Sequence, residues 1–492
     1  MSSTMGNAIT PVVARSSIAG EWVEGAGRDF VSLNPARPDE VVANGHYVGE
    51  DAVVEAMDTA AEAFAAWRKV PIHARAALLV RVAEVLDSRR DELAVELTRE
   101  QGKTLTDSKN EVQRAADTFR YNATLANAPT GSTFASLRET EHIWAIRKPL
   151  GVVSMITPWN IPMGIPAWKL APALLAGNTV VWKPASIVPL VSIRLMEALI
   201  EAGIPEGVCN LVLATSRDTG PLLSHPAVRA CTFTGSTSVG KHLIAEGARH
   251  GVKVQAEMGG MNSAVVLADA DFDWAVKSVV SSAMLQTGQR CTATGRALVA
   301  RPIYDRFVEA VVQQSDALVV GNGLESGTDL GPSASADARN QITGALSAAT
   351  NRGASVLTRA GQGTGDGYFV RPAVLAGVRT DDPVFLDEVF GPVLSIVPVD
   401  SAEEGVALAN AGPYGLSGAV FTNDIRTILG TIDEFEVGML HINSETCGGD
   451  PHVPFGGVKD SGTSYREMGE AALDFFTETK TVYLRPSPEI QR

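Results

Sequence analysis

Residues 151–184 read GVVSMITPWNIPMGIPAWKLAPALLAGNTVVWKP. The β-branched apolar run Gly151–Thr157 reads as a buried strand, Trp168–Leu175 as a helix ending at Gly177, and Thr179–Trp182 as a second strand. Residues 151–168 carry no charge and have roughly the length of a membrane span. Pro158, Pro162 and Pro166 would break such a helix repeatedly, however, and Asn160 would sit unpaired in lipid. A strand, a turn and a helix start fit better.

The alternation continues outward. Pro189–Glu201 reads as a helix, Cys209–Leu213 as a third strand, and Ala230–Thr234 leads into a helix over 238–248. Strands alternating with helices of this length indicate a parallel, doubly wound α/β sheet, which binds nucleotides at the carboxyl ends of its strands. A second α/β block runs from about 260 to 450, with strands at 263–267, 296–300, 393–397 and 417–421 and a helix at 272–285. Glycine-rich loops at 321–331 and 361–367 separate its elements. On the amino-terminal side, a short tail precedes amphipathic helices at 50–69, 72–99 and 107–125. The segments 140–150 and Thr479–Leu484 read as lone strands. Two α/β blocks plus lone strands suit a nucleotide domain, a catalytic domain and an oligomerising flap.

Composition sets the outer limits. A chain of 492 residues exceeds one hydrophobic core. Its formal net charge of −15 argues against nucleic acid or an anionic membrane as partner. Four cysteines without a CxxC pair, and eight histidines without ligand spacing, point to neither a disulfide scaffold nor a metal site. The start lacks a basic segment followed by an apolar core, so a cytoplasmic protein is expected.

Several residues carry chemical potential. Cys291 lies in a polar, glycine-rich loop, TGQRCTATG; it reads as an activated nucleophile or as an inert buried thiol. Glu257, in AEMGG, is a strand-end carboxylate or a base raised in pKa by burial. Asn160 caps the next helix or donates to an oxyanion. Lys183, in VVWKPAS, is solvated or meets a ribose or phosphate. Gly235, Ser236 and Gly240, in FTGSTSVG, form a turn and helix start suited to a pyrophosphate. Their spacing is neither GxGxxG nor a P-loop. Glu388 and Phe390, in LDEVFGP, cover a turn or flank a ribose and a flat ring.

Taken together, TPWN at 157–160, KPAS at 183–186, FTGS at 233–236, EMGG at 257–260, GQRC at 288–291, EVFGP at 388–392 and PFGG at 454–457 resemble the aldehyde dehydrogenase superfamily. The resemblance implies an NAD(P)-binding Rossmann-type domain at 1–126 and 147–257, a catalytic domain at 258–460, and a β oligomerisation flap at 127–146 and 477–492. It implies that Cys291 attacks the aldehyde carbon while Asn160 and the Cys291 backbone N–H stabilise the oxyanion. Glu257 would activate the water that hydrolyses the thioester, and Lys169 and Glu467 match positions that relay its proton. Ile156, Thr157, Pro158, Trp159, Lys183, Ser186, Gly235, Ser236, Gly240, Glu388 and Phe390 would hold the cofactor.

A small serine at 186, where strict NAD users commonly carry glutamate, implies that NADP is accepted and preferred, with NAD also used. The segments IPAWKLAPALLAGNTVVWKPA, GQRCTATGR and EAALDFFTETKTVY most resemble the 2-oxoglutarate semialdehyde (2,5-dioxovalerate) dehydrogenase branch. Trp168 stands where succinate semialdehyde dehydrogenases usually place an arginine. Ile161, Ile165, Trp168 and Phe455 would line an apolar tunnel that also suits an aromatic or aliphatic aldehyde. Arg290 and Thr292 beside the nucleophile complete the expected substrate set, Arg290 as a partner for a carboxylate. A homodimer or homotetramer is expected.

Overall fold

In the computed structural model the first βαβ unit comprises strand Val152–Ile156, helix Gly164–Ala176 and strand Thr179–Lys183. The structure describes residues 10–361 and 365–486. The outermost parts of the expected domain boundaries, 1–9 and 487–492, and residues 362–364 of the second glycine-rich loop lie outside the described residues.

The helix starts before Trp168 because Pro166 falls in its first turn, where a missing N–H costs no bond. It stops at Gly177, whose φ of 97° only glycine adopts without strain. The Gly177 and Asn178 N–H groups return to the carbonyls of Leu174 and Ala173. The strand is buried on both faces, which is why it reads as a continuous apolar run.

Five parallel strands lie in the order Lys253–Glu257, Val228–Thr234, Val152–Ile156, Thr179–Lys183, Cys209–Leu211. The chain runs from Val152–Ile156 toward one edge and then returns to its other side. That reversal opens a crevice at the carboxyl ends of Val152–Ile156 and Val228–Thr234. Two antiparallel strands, Ser16–Ile18 and Glu21–Val23, extend the sheet.

The expected short tail is therefore corrected: Val12–Ala14, Ser16–Ile18, Glu21–Val23, Asp29–Asn34 and Arg37–His46 are all strands. Three of these are only three residues long. Ser17 pairs with Leu211, far along the chain, so local periodicity carries little sign of that sheet. The expected helix at 72–99 divides at Arg89 (φ −105°, ψ 9°) into Ile72–Ser88 and Arg90–Gln101.

The second sheet runs Ser355–Val356, Ala373–Ala376, Val393–Val399, Thr294–Ala300, Asn262–Val266, Ser417–Phe421, Met439–Ile442, parallel except for its first pair. Glu257 ends an edge strand of the first sheet, and the turn Met258–Met261 leads directly into Asn262–Val266 of the second. Cys291 comes just before Thr294–Ala300. The carboxyl edge of one sheet thus approaches the amino edge of the other.

A third, antiparallel sheet joins Gly131–Phe134, His142–Pro149 and Thr477–Leu484. It leaves Phe134 56% and Tyr483 67% exposed. Among the described residues, no helix is long and apolar enough to cross a membrane.

Candidate active site

The loop carrying Cys291 is built from strained backbone. After helix Phe272–Met284, three consecutive residues adopt left-handed conformations: Gln286 (φ 54°), Thr287 (φ 58°) and Gly288 (φ 61°). A Cβ at Gly288 would lie 2.1 Å from the Gly391 carbonyl oxygen, so only glycine lets the GQRC and FGP backbones touch. Thr287 Oγ1 donates to the Gly331 carbonyl at 2.9 Å, and Gln289 Oε1 accepts from the Ala334 N–H at 2.9 Å. Asn262 Nδ2 donates to the carbonyls of both Cys291 and Ala293 at 2.8 Å. Such surroundings are what holds a strained loop in place.

The Cys291 side chain is half-buried and faces a cavity of about 520 Å³. Burial pushes its thiol pKa up, and the nearby carboxylates Glu388 and Glu257 push it further. The resting group is a protonated thiol, so attack on a carbonyl first requires loss of that proton.

Glu257 is 2% exposed. Its Oε2 accepts from the Gly457 N–H at 3.2 Å, and its Oε1 has no hydrogen-bond partner among the described residues. Burial raises its pKa well above the ordinary carboxylate value; the charge of Glu467 adds to this and that of Lys169 opposes it. A carboxylate with a free buried oxygen and a raised pKa can take a proton from water. Lys169 Nζ donates to Glu467 Oε1 and, at 2.8 Å, to Thr232 Oγ1. Thr232 Oγ1 donates to Gln255 Oε1 at 2.9 Å, so a buried polar line runs beneath Glu257.

Asn160 is buried at the carboxyl end of the first strand. One of its Nδ2 protons goes to the Gln289 carbonyl at 3.1 Å. The other is left for a second acceptor, and the bond to Gln289 ties the amide to the Cys291 loop.

On the other side of the switch point, Ile156 and Lys183 line a cavity of about 500 Å³ with residues of helix Thr237–His250. Burial lowers the Lys183 pKa. Ser236 stands exposed at the N-cap of that helix, where free N–H groups and the helix dipole favour an anion. Gly240 is buried beneath it, where a Cβ would meet Met258 Sδ at 2.4 Å. A Cβ at Gly235 would meet the Phe233 ring at 2.5 Å, so this turn too depends on glycine. Thr157 is buried and accepts from Trp182 Nε1 at 2.9 Å.

Trp159 packs edge-on against Phe390, with ring centroids 5.4 Å apart; Pro158 precedes it, partly buried. Glu388 Oε1 accepts from the Gly260 N–H at 3.3 Å, and burial pushes its carboxyl up to about 8. These groups fit a dinucleotide: a helix N-terminus for phosphates, one buried lysine, and a carboxyl group near Cys291. Ser186 is not in the Lys183 cavity. It lies exposed in an adjoining crevice with Tyr47 and Phe30.

On the substrate side, Ile161, Trp168, Arg290, Thr292 and Phe455 line the Cys291 cavity, and Ile165 packs behind them. The Trp168 indole N–H is committed to Glu467 Oε2 at 2.7 Å, which leaves its ring as an apolar wall. Arg290 Nη2 donates to the Ser281 carbonyl at 3.2 Å, while its buried Nε has no partner among the described residues.

Sequence reasoning missed Asn262, Gly457 and Cys447. Cys447 Sγ lies 3.2 Å from the Thr292 carbonyl and lines the same cavity. An asparagine directly after EMGGM and the PFGG glycines carried a faint signal for the first two.

A sequence profile of the aldehyde dehydrogenase family matches residues 22–482. The chain is 39% identical to the alpha-ketoglutaric semialdehyde dehydrogenase of Bacillus subtilis, over 95% of this chain and 97% of that protein. It is 37% identical to the 2,5-dioxopentanoate dehydrogenase of Saccharolobus solfataricus, over 95% and 98%. Betaine aldehyde dehydrogenase from Staphylococcus aureus, solved with NAD+, superposes with a TM-score of 0.93 at 32% identity, covering 96% of this chain and 95% of that one.

Proposed function

Because the chain belongs to the aldehyde dehydrogenase family and oxidises aldehydes with NAD(P), we propose that its substrate is 2-oxoglutarate semialdehyde and its product the free dicarboxylate. The alignment with relatives named for that substrate over nearly their whole length carries this reading.

In the proposed mechanism the Cys291 thiol gives its proton to solvent water and its sulfur adds to the aldehyde carbon. The carbonyl oxygen becomes an oxyanion that accepts from Asn160 Nδ2 and the Cys291 N–H. The adduct becomes a thioester when its C–H bond breaks and C=O re-forms, and a nicotinamide held by Lys183, Ser236 and Glu388 would supply the hydride acceptor. Glu257 then takes a proton from water; the resulting hydroxide adds to the thioester carbon and the Cys291 thiolate leaves. Lys169 and Glu467 pass the proton outward. The raised pKa of Glu257 supports this role, because it brings a carboxylate toward working pH.

Lys183, Ser186, Ser236 and Glu388 would hold the cofactor. The absence of a carboxylate at 186 favours NADP, with NAD as a weaker alternative. Arg290 would meet the distal carboxylate through its unpartnered Nε. The exposed three-stranded flap supports a homodimer or homotetramer, and four free cysteines suit the reducing cytoplasm.

A panel of semialdehydes, aromatic and aliphatic aldehydes, each with NADP and NAD, tests the reading. The highest kcat/KM is expected for 2-oxoglutarate semialdehyde with NADP. The apolar wall of Ile161, Trp168 and Phe455 favours a second reading, an aromatic or aliphatic aldehyde, which a higher kcat/KM for phenylacetaldehyde would establish.

A further inference from the structure

Beneath the Asn160 turn lies a buried ion pair for which the mechanism above has no role. Lys103 is 3% and Glu111 6% exposed, and Lys103 Nζ meets Glu111 Oε2 at 2.5 Å. Lys103 Nζ also donates to the Asn160 backbone carbonyl at 2.7 Å. Glu111 Oε1 accepts from the N–H groups of Met163 at 2.8 Å and Gly164 at 3.2 Å. The pair therefore grips the chain at Asn160, the last residue of TPWN, and again at Met163 and Gly164, where the next helix starts.

Its own setting is equally fixed. Gly102, at φ 98°, turns the chain after helix Arg90–Gln101. The glycine-rich loop at 321–331 packs onto that turn: a Cβ at Gly323 would lie 2.3 Å from the Lys103 carbonyl oxygen, and one at Gly331 would lie 1.9 Å from that of Gly102. The Leu105 N–H donates to the Gly323 carbonyl at 2.9 Å. Gly331 is also the residue whose carbonyl receives Thr287 of the nucleophile loop. One buried post thus supports Asn160 directly and touches the Cys291 loop through a single stretch of backbone.

Burying two charges is costly, and a pair kept for stability alone is easily replaced by apolar side chains. The hydrogen bonds made here go instead to the backbone around one amide side chain. We propose that Lys103 and Glu111 are positioning residues for the oxyanion site, setting the direction of Asn160 Nδ2. The proposal rests on the reading of Asn160 as an oxyanion donor.

The test compares two reactions of Cys291 in the full-length enzyme. Oxidation of the best aldehyde in single turnover passes through an oxyanion; alkylation by iodoacetamide does not. Lys103→Met is expected to slow the first burst of reduced cofactor about 10- to 100-fold while changing the alkylation rate less than about twofold. Glu111→Gln, which is closer to the native shape, should show the same pattern at smaller amplitude and serves if Lys103→Met does not fold. In an Asn160→Ala background, Lys103→Met should cost nothing further.

A parallel fall in alkylation, or independent multiplication of the two losses, overturns the proposal. An Asn160→Ala variant with an unaltered burst would instead overturn the oxyanion reading itself, and the positioning role with it.

Discussion

Glu257 and Gly457, 200 positions apart, are joined by the one hydrogen bond that the buried carboxylate makes among the described residues, from the Gly457 N–H to Oε2 at 3.2 Å. The other oxygen stays without a protein partner among the described residues. Glu257→Gln keeps the bond to Gly457 but cannot accept a proton. A first burst of reduced cofactor should survive, while the steady-state rate falls about 10²- to 10⁴-fold. An unchanged steady state would remove Glu257 from the mechanism.

The pH dependence follows from the same burial. Desolvation, and then the Glu467 charge, raise the Glu257 pKa, so the proton-accepting form gains population only as pH rises through that value. Deacylation should increase with pH along a limb displaced above the ordinary carboxylate range. The limb should vanish in Glu257→Gln. For stability the sign is reversed: a carboxyl whose folded pKa is raised contributes fully at low pH and loses that contribution as pH climbs through the folded value.

Cofactor choice is tested at Ser186. The residue lies exposed in the crevice beside the Lys183 cavity, with Tyr47 as part of its wall. A carboxylate there would face a 2′-phosphate across partly solvated space, where repulsion is screened. Ser186→Glu should lower kcat/KM with NADP about three- to tenfold relative to NAD. Equal ratios in the two proteins would place the 2′-phosphate elsewhere.

How far the sequence disclosed this site depends on the separation of the interacting residues. The strand run ending at Ile156 and the helix Pro189–Glu201 stand out because their signals are contiguous. Cys291, Glu257 and Asn160 each sit in a short string with recognisable neighbours. The Gly457 N–H, the Asn262 amide and the Lys103–Glu111 post act across 8 to 200 positions, where one sequence shows no link. The strands at 12–46 stayed hidden for a related reason: short strands are defined by partners far along the chain. Separation of Ser186 from the Lys183 cavity is likewise a matter of three dimensions, since only two residues intervene.

The exposed flap gives a prediction about assembly. Trp144 (39% exposed) and Tyr483 (67%) stand on neighbouring strands of the three-stranded sheet, whose outer strands Gly131–Phe134 and Thr477–Leu484 are edges. Open edges with exposed aromatics normally find a partner. Light scattering should give a mass that is two or four times 51.8 kDa. Trp144→Asp with Tyr483→Asp should shift it to the monomer, and a monomeric parent protein would refute the role of this sheet.

Gly288 tests whether the strain around Cys291 is functional. At φ 61° an L side chain is unfavourable, and the added methyl would also press into the Gly391 carbonyl, 2.1 Å away. Gly288→Ala should therefore destabilise the protein by about 3 kcal/mol or more in urea unfolding, the combined cost of a positive φ and a backbone clash. Because Gly391 is joined to Phe390, relief of the clash would move the ring that packs on Trp159 as well as Cys291 itself. KM for the cofactor should rise together with a fall in the acylation rate. A variant that lost stability alone, with both kinetic constants intact, would show that the strained turn serves only to join two loops.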